Sequence, residues 1–388
     1  GTSGGPETFD PAQAWDEVSV FFTSSLFDTL VRLNTNTSEI EPSLAVSWEA
    51  KNDGKIWVFK LRKSVKFHDG SDFNSSAVVF SFERQMDKKF KYRYYDFPLF
   101  SEIFGNIKSV VAIDPHTVVF YLRESFFPFL ATITSSGASI VSPAAIKKHK
   151  EKFRENPVGT GPFMLKTWEK GKRVVLSRNT NYWRGKPKFD ELVSIINPKF
   201  EVLHNLFVKG KIDCLDSISI SRTVGIKKLR WVTVKLMPTL SVSYIAFNFK
   251  NTYLQRENIR KAIRYSWDDR ILKYVFQDFV VSLNSILPRG MPGYKEISGK
   301  KSFSITKAKE LLKKEKISEK ISLNFLLLNN TGLERQMISL FSKNLQRVGI
   351  ELKMINVSQA EYQKRIRKGD FDLAVSGWIS DYPDPHSI

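Results

Sequence analysis

The chain has 388 residues, 26% charged and 42% hydrophobic, a composition ordinary for a soluble globular protein and too long for one compact core, so two or three domains are expected. Its net charge of +20 sits in short runs such as Lys147-Lys148-His149-Lys150 and Arg365-Arg367-Lys368, without the interleaved aromatic platforms of a nucleic-acid binder. No nucleic-acid function is expected, and weak attraction to anionic membrane surfaces or acidic ligands is the better reading of the charge.

Phe9-Asp10-Pro11 ends a loop, and a helix is expected over Val18 to Leu30. Asn52-Asp53-Gly54-Lys55 has hairpin-turn chemistry, because Asp-Gly supplies the positive φ of a tight turn, and the alternating strand Ile56–Leu61 follows. After the turn His68-Asp69-Gly70, either Asn74 or Ser75 can cap a helix running to Met86. Val110 to Leu122 reads as a hairpin turning at Asp114-Pro115-His116. The two glycines and two prolines of Asn156 to Phe163 fix a sharp crossing, and no Lys-Ser or Lys-Thr follows to make it a phosphate loop.

Strands are expected at Phe163–Trp168, Arg173–Arg178 and Leu192–Ile196, then a helix over Glu201–Lys209 with Gly210 as its C′ residue. A β run covers Val242 to Phe249, followed by an amphipathic helix from Glu257 to Trp267. Helices at Thr306 to Lys314 and Glu334 to Val348, with strands Ser322–Leu328 and Glu351–Val357 flanking the second, form an α/β unit. Near the end, Phe371, Leu373 and Val375 alternate with polar or small residues in a strand that runs into Gly377-Trp378 and a turn carrying Asp381 and Asp384 between prolines. Such a strand end places main-chain groups, an aromatic and a carboxylate where a cation could meet them.

Enzyme chemistry finds no support: there is no G-x-S-x-G elbow, no H-E-x-x-H and no Gly-rich dinucleotide turn. One cysteine, Cys214, excludes an intrachain disulfide and a cysteine-clustered zinc site, and the five histidines show no metal spacing, so neither metal nor cofactor is expected. The longest apolar runs, such as Leu326–Leu328, fall far short of the ~20 residues that span a bilayer. The opening Gly1-Thr2-Ser3-Gly4-Gly5 has no Met and no signal-peptide pattern, and reads as a processed product whose missing start held an export signal or lipid anchor.

Taken in order, the segments resemble the extracellular solute-binding proteins of ABC importers for oligopeptides, dipeptides and nickel. The resemblance rests on Leu26-Phe27-Asp28-Thr29-Leu30, on Pro42 to Trp48 with Phe59 to Gly70, and on Asn156 to Phe163 with Arg178-Asn179-Thr180-Asn181-Tyr182-Trp183. It continues through the short Gly210-Lys211-Ile212-Asp213, Tyr244 to Asn248 with Ile259 to Ile263, Ala308 to Leu312, and Gly369 to Pro385. It implies a two-lobed periplasmic-binding-protein fold of α/β class with an extra subdomain on the first lobe. Lobe I would be residues 1–32 and 157–240, the extra subdomain 33–156, and lobe II 241–388. Chains of this class continue past the last block, so a fragment is expected, with lobe II incomplete and its C-terminal return to lobe I missing.

The function implied is a receptor that grips a short peptide between two lobes by its main chain and charged ends and delivers it to a membrane permease. Such a receptor is periplasmic or on the cell surface, peripheral or lipid-anchored, and monomeric. Asp381, three residues after Trp378, matches the residue that captures the ligand ammonium; Gly377 and Ile379 would supply main-chain partners on lobe II, and the Phe22-Thr23 region on lobe I. Gln359 stands where oligopeptide receptors carry a pocket aromatic, and Val375 where they carry an arginine. Arg335 matches the region that holds a ligand carboxylate in dipeptide receptors. These departures suggest a short or modified peptide. A nickel chelate or sugar stays open within the class, and a polyanion-binding or adhesive surface protein of the same fold is the alternative outside it.

Overall fold

The computed structural model describes residues 1–388 except 35, 36, 38, 98–102, 216, 217, 219, 237, 238, 297–301, 318, 330, 331, 381, 383 and 388. The chain divides into two compact units, Gly1–Arg230 with Asp381–Ser387, and Trp231–Ser380.

In the first unit, helix α1 (Glu17–Leu26) starts at Asp16, whose Oδ1 accepts from the Ser19 N–H at 2.8 Å. It stops four residues before the expected Leu30, because Phe27 is already extended at φ −129° and ψ 155°. Short strands β1 (Val31–Leu33) and β2 (Ile40–Pro42) pair antiparallel. Strands β3 (Ala45–Lys51), β4 (Ile56–Leu61), β5 (Ile107–Asp114) and β6 (Thr117–Leu122) form an antiparallel sheet in the order β3-β4-β6-β5. The β3–β4 turn holds Asn52, Asp53 and Gly54 at positive φ, the conformation its Asp-Gly pair favours. Helix α2 (Ser75–Met86) is capped by Asn74, which accepts from the Ala77 N–H at 3.1 Å.

One face of this sheet packs with α2 around Phe59, Phe82, Phe120 and Phe129; the Phe82 and Phe120 rings meet edge-on at 4.9 Å. Helix α3 (Pro143–His149) leads to the crossing segment, and a second antiparallel sheet follows: β7 (Phe163–Glu169), β8 (Arg173–Arg178) and β9 (Glu191–Ile195). Its core holds Phe9, Phe22, Leu26 and Phe153. A buried ion pair, Arg84 to Asp10 with bonds of 2.9 and 2.5 Å, ties α2 to the N-terminal segment.

The crossing segment closes against the end of α1. The Gly161 N–H donates to Leu26 O at 3.0 Å. A Cβ added at Gly159 would lie 2.2 Å from Leu26 O, and one at Gly161 2.5 Å from the Leu26 carbonyl carbon. Only residues without a Cβ allow this approach. His68 clasps both glycines: its Nδ1 accepts from the Gly159 N–H at 3.2 Å, which leaves the proton on Nε2 to donate to Gly161 O at 3.0 Å.

The second unit contains β10 (Ser241–Phe247), α4 (Glu257–Tyr265), α5 (Ile305–Lys314), β11 (Ile321–Leu328), α6 (Gly332–Gln346), β12 (Ile350–Val357), α7 (Gln359–Lys368) and β13 (Leu373–Ile379). The strands form one sheet in the order β10-β13-β11-β12. β11 runs parallel to both β12 and β13, while β10 is antiparallel to β13. This is the α/β alternation expected from the sequence. Ile259, Phe325, Ile338, Phe341 and Leu373 fill its main core; Leu326, Tyr362 and Ala374 form a smaller cluster where α7 crosses the sheet.

Candidate functional site

The parallel strands β11, β12 and β13 all end on one side of the second unit's sheet, at Leu328, Val357 and Ile379. In α/β sheets ligands bind outside such carboxyl ends. Helix α6 begins just after β11 and α7 just after β12. Arg335, in the first turns of α6, and Gln359, the first residue of α7, therefore lie at the same end as Gly377, Trp378 and Ile379, and both are exposed.

β13 outruns its parallel neighbour. It pairs with β11 at Leu373 and Ala374, but with β10 along its whole length, up to Ile379 opposite Ser241. Two bonds at the ends of the β10–β13 ladder fix which groups face which way. The Asn248 N–H donates to Asp372 O at 2.9 Å, and the Ser380 N–H to Leu240 O at 3.1 Å. Even-numbered positions thus pair with β10, and Val375, Gly377 and Ile379 turn their N–H and C=O groups to the opposite side. On that side, among the described residues, no strand pairs with Gly377 or Ile379. Ile379 is 78% exposed and Trp378 46%. Gly377 lies tight against β10, where an added Cβ would stand 3.0 Å from Val242 O.

The other expected contacts fall differently. Phe22 and Thr23 are both fully buried inside α1. Phe22 shares the core face with Leu26, and the Thr23 hydroxyl donates to Ser19 O at 2.9 Å; the contact expected of this region was a main-chain one, on which side-chain burial does not bear. On this helix Phe21, 49% exposed, and Ser24 face outward instead. Asp381 lies outside the described residues. Asp384 is a turn residue: its Oδ1 accepts from the His386 N–H at 2.9 Å, and its carbonyl from the Ser387 N–H at 2.9 Å.

One residue of this end went unremarked in the sequence. Tyr362, on α7, donates its hydroxyl to Val375 O on the outer side of β13. Burial raises the phenol above its usual range, so it stays a donor. Its one visible signal was its place on the apolar side of α7 with Ile366. Among the described residues no group of three or more His, Cys, Asp or Glu could hold a metal ion, and no described helix is long and apolar enough to cross a membrane.

An open strand edge at the carboxyl end of a parallel sheet, beside two helix starts, is a geometry suited to taking an extended ligand as an added strand. The chain belongs to the bacterial extracellular solute-binding proteins, family 5, whose middle region matches residues 39–388. It is 32% identical to the probable D,D-dipeptide-binding periplasmic protein DdpA of Escherichia coli K12 over 398 residues, covering 100% of this chain and 75% of that protein. It is 30% identical to the dipeptide-binding protein of the same organism, covering 100% and 76%. Among solved structures, HbpA2 from Haemophilus parasuis superposes with a TM-score of 0.90 at 26% identity, over 100% of this chain and 80% of that one. The periplasmic binding protein DppA from Helicobacter pylori, in complex with the peptide STSA, gives a TM-score of 0.75 at 28% identity, over 100% and 78%. The fold is that of the two-lobed periplasmic binding proteins.

Proposed function

We propose that this chain is the solute receptor of an ABC importer, binding a short peptide by its main chain and terminal charges and delivering it to a membrane permease. The carrying observation is the open outer edge of β13, where Gly377 and Ile379 present main-chain donors and acceptors that read no side chain. Relatives named as dipeptide-binding, and a neighbour solved with a bound peptide, support the same ligand class. In this reading the second unit is lobe II, and the first combines lobe I with the extra subdomain. Asp381 is assigned to the ligand ammonium, Arg335 to its carboxylate, and Trp378 and Gln359 to its flanks. We place the protein in the periplasm or at the cell surface, with a lipid anchor as its means of membrane association, as a monomer.

The assignment of Asp381 is tested by calorimetry with a free-amino dipeptide and its N-acetylated form. Asp381→Ala should weaken the free-amino peptide at least tenfold more than the acetylated one, as expected for a charge-assisted bond. Equal losses on both ligands would remove Asp381 from this role.

A further inference from the structure

Resting on the peptide reading above, we infer that Tyr362 sets how far a main-chain-paired ligand can extend along β13, and so selects for short peptides. The outer edge of β13 offers three consecutive ladder positions: Val375, Gly377 and Ile379. They are not equivalent. β11 leaves β13 after Ala374, so the Val375 carbonyl would face the same open space as the two positions beyond it. Tyr362 reaches across from α7 and donates its hydroxyl to that carbonyl. The ring is held there by Leu326 and Ala374 and is only 8% exposed. The Val375 acceptor is taken, and the phenol stands on its outer side.

An added strand forms ladder bonds through alternate residues, so two remaining positions pair with a segment of about three residues. Extension toward Ile379 is not blocked by Tyr362; extension toward Val375 is. A ligand longer than about three residues gains no further ladder bond in that direction and must leave the edge. Dipeptides and tripeptides lose nothing by this. Tyr362 is therefore a specificity residue that acts through the strand and needs no contact with the short ligand.

The test compares tri-alanine with penta-alanine, both with free ends, by calorimetry on the full-length receptor and its Tyr362→Ala variant. In the unaltered protein, penta-alanine should bind no more tightly than tri-alanine. Tyr362→Ala removes both hydroxyl and ring from the outer side of Val375 and should improve penta-alanine about fivefold relative to tri-alanine, the worth of one backbone hydrogen bond. Ile366→Ala loosens the same helix contact while keeping Tyr362 and should leave the ratio unchanged. A ratio unmoved by Tyr362→Ala overturns the inference, as does an equal change in Ile366→Ala, which would mark a packing role. Failure of both peptides to bind the unaltered protein overturns the peptide reading itself and this inference with it.

Discussion

Asp28 and Trp183, 155 residues apart in the chain, meet through a 2.9 Å hydrogen bond from the indole N–H to the carboxylate Oδ2. The same carboxylate accepts from the Thr160 hydroxyl at 2.9 Å and the Tyr182 hydroxyl at 3.1 Å. Desolvation raises the Asp28 carboxyl above its usual range, and these three donors work against that rise. One half-buried acid thus gathers the residues after α1, the crossing segment and the loop after β8.

Asp28→Ala should cost the first unit about 3 kcal/mol, because it leaves three donors without their acceptor rather than removing a matched pair. Urea unfolding followed through tryptophan fluorescence reads this directly. A midpoint unchanged by the substitution would show that water or neighbouring groups replace the carboxylate.

His68 makes the fold sensitive to acid. Burial pushes its pKa down from 6.5 to about 4, while the Gly161 carbonyl and Asp69 oppose the shift. The unfolded chain therefore takes up a proton before the folded one does. Stability from the neutral ring is complete above about 6.5 and is lost as pH falls toward 4. The ring is partly exposed, so solvent discounts the effect to roughly 2 kcal/mol. His68→Asn should flatten the stability profile between these limits in urea titrations. A profile as steep as the parent's would assign the acid sensitivity to other groups.

Gly377 couples strand geometry to binding. Gly377→Val should press against Val242 O and the Ser243 hydroxyl, 3.0 and 3.4 Å from the new Cβ, and turn the outward main-chain groups of β13. We expect tripeptide affinity to fall about tenfold, the equivalent of one or two main-chain bonds, with a smaller loss of thermal stability. Unchanged affinity would take Gly377 out of the binding edge.

Much of the framework was legible because local chemistry and tertiary need agree. Asn74 caps α2 and the Asp53-Gly54 pair turns the first hairpin, each for reasons contained within a few residues. Where distant partners decide, local reading fails. The expected helix through Leu30 ends at Leu26 because Phe27 and Asp28 must turn toward Phe153 and Trp183. The helical period of α1 turns the side chains of Phe22 and Thr23 into the core and leaves Phe21 outside, which the sequence pattern alone did not separate. At the end of β13, Gly377 and Ile379 were named through the family resemblance, and the pairing with β10 puts their main-chain groups on the strand's other side. Tyr362 could not be named so, since its partner depends on how α7 crosses the sheet.

The close fit of Gly159 and Gly161 against the last turn of α1 has an evolutionary corollary. In a saturation library screened for secreted, folded product, both codons should return glycine almost alone, whereas nearby surface positions such as Lys152 should tolerate nearly any replacement. Drift along this stretch is confined by two missing methyl groups.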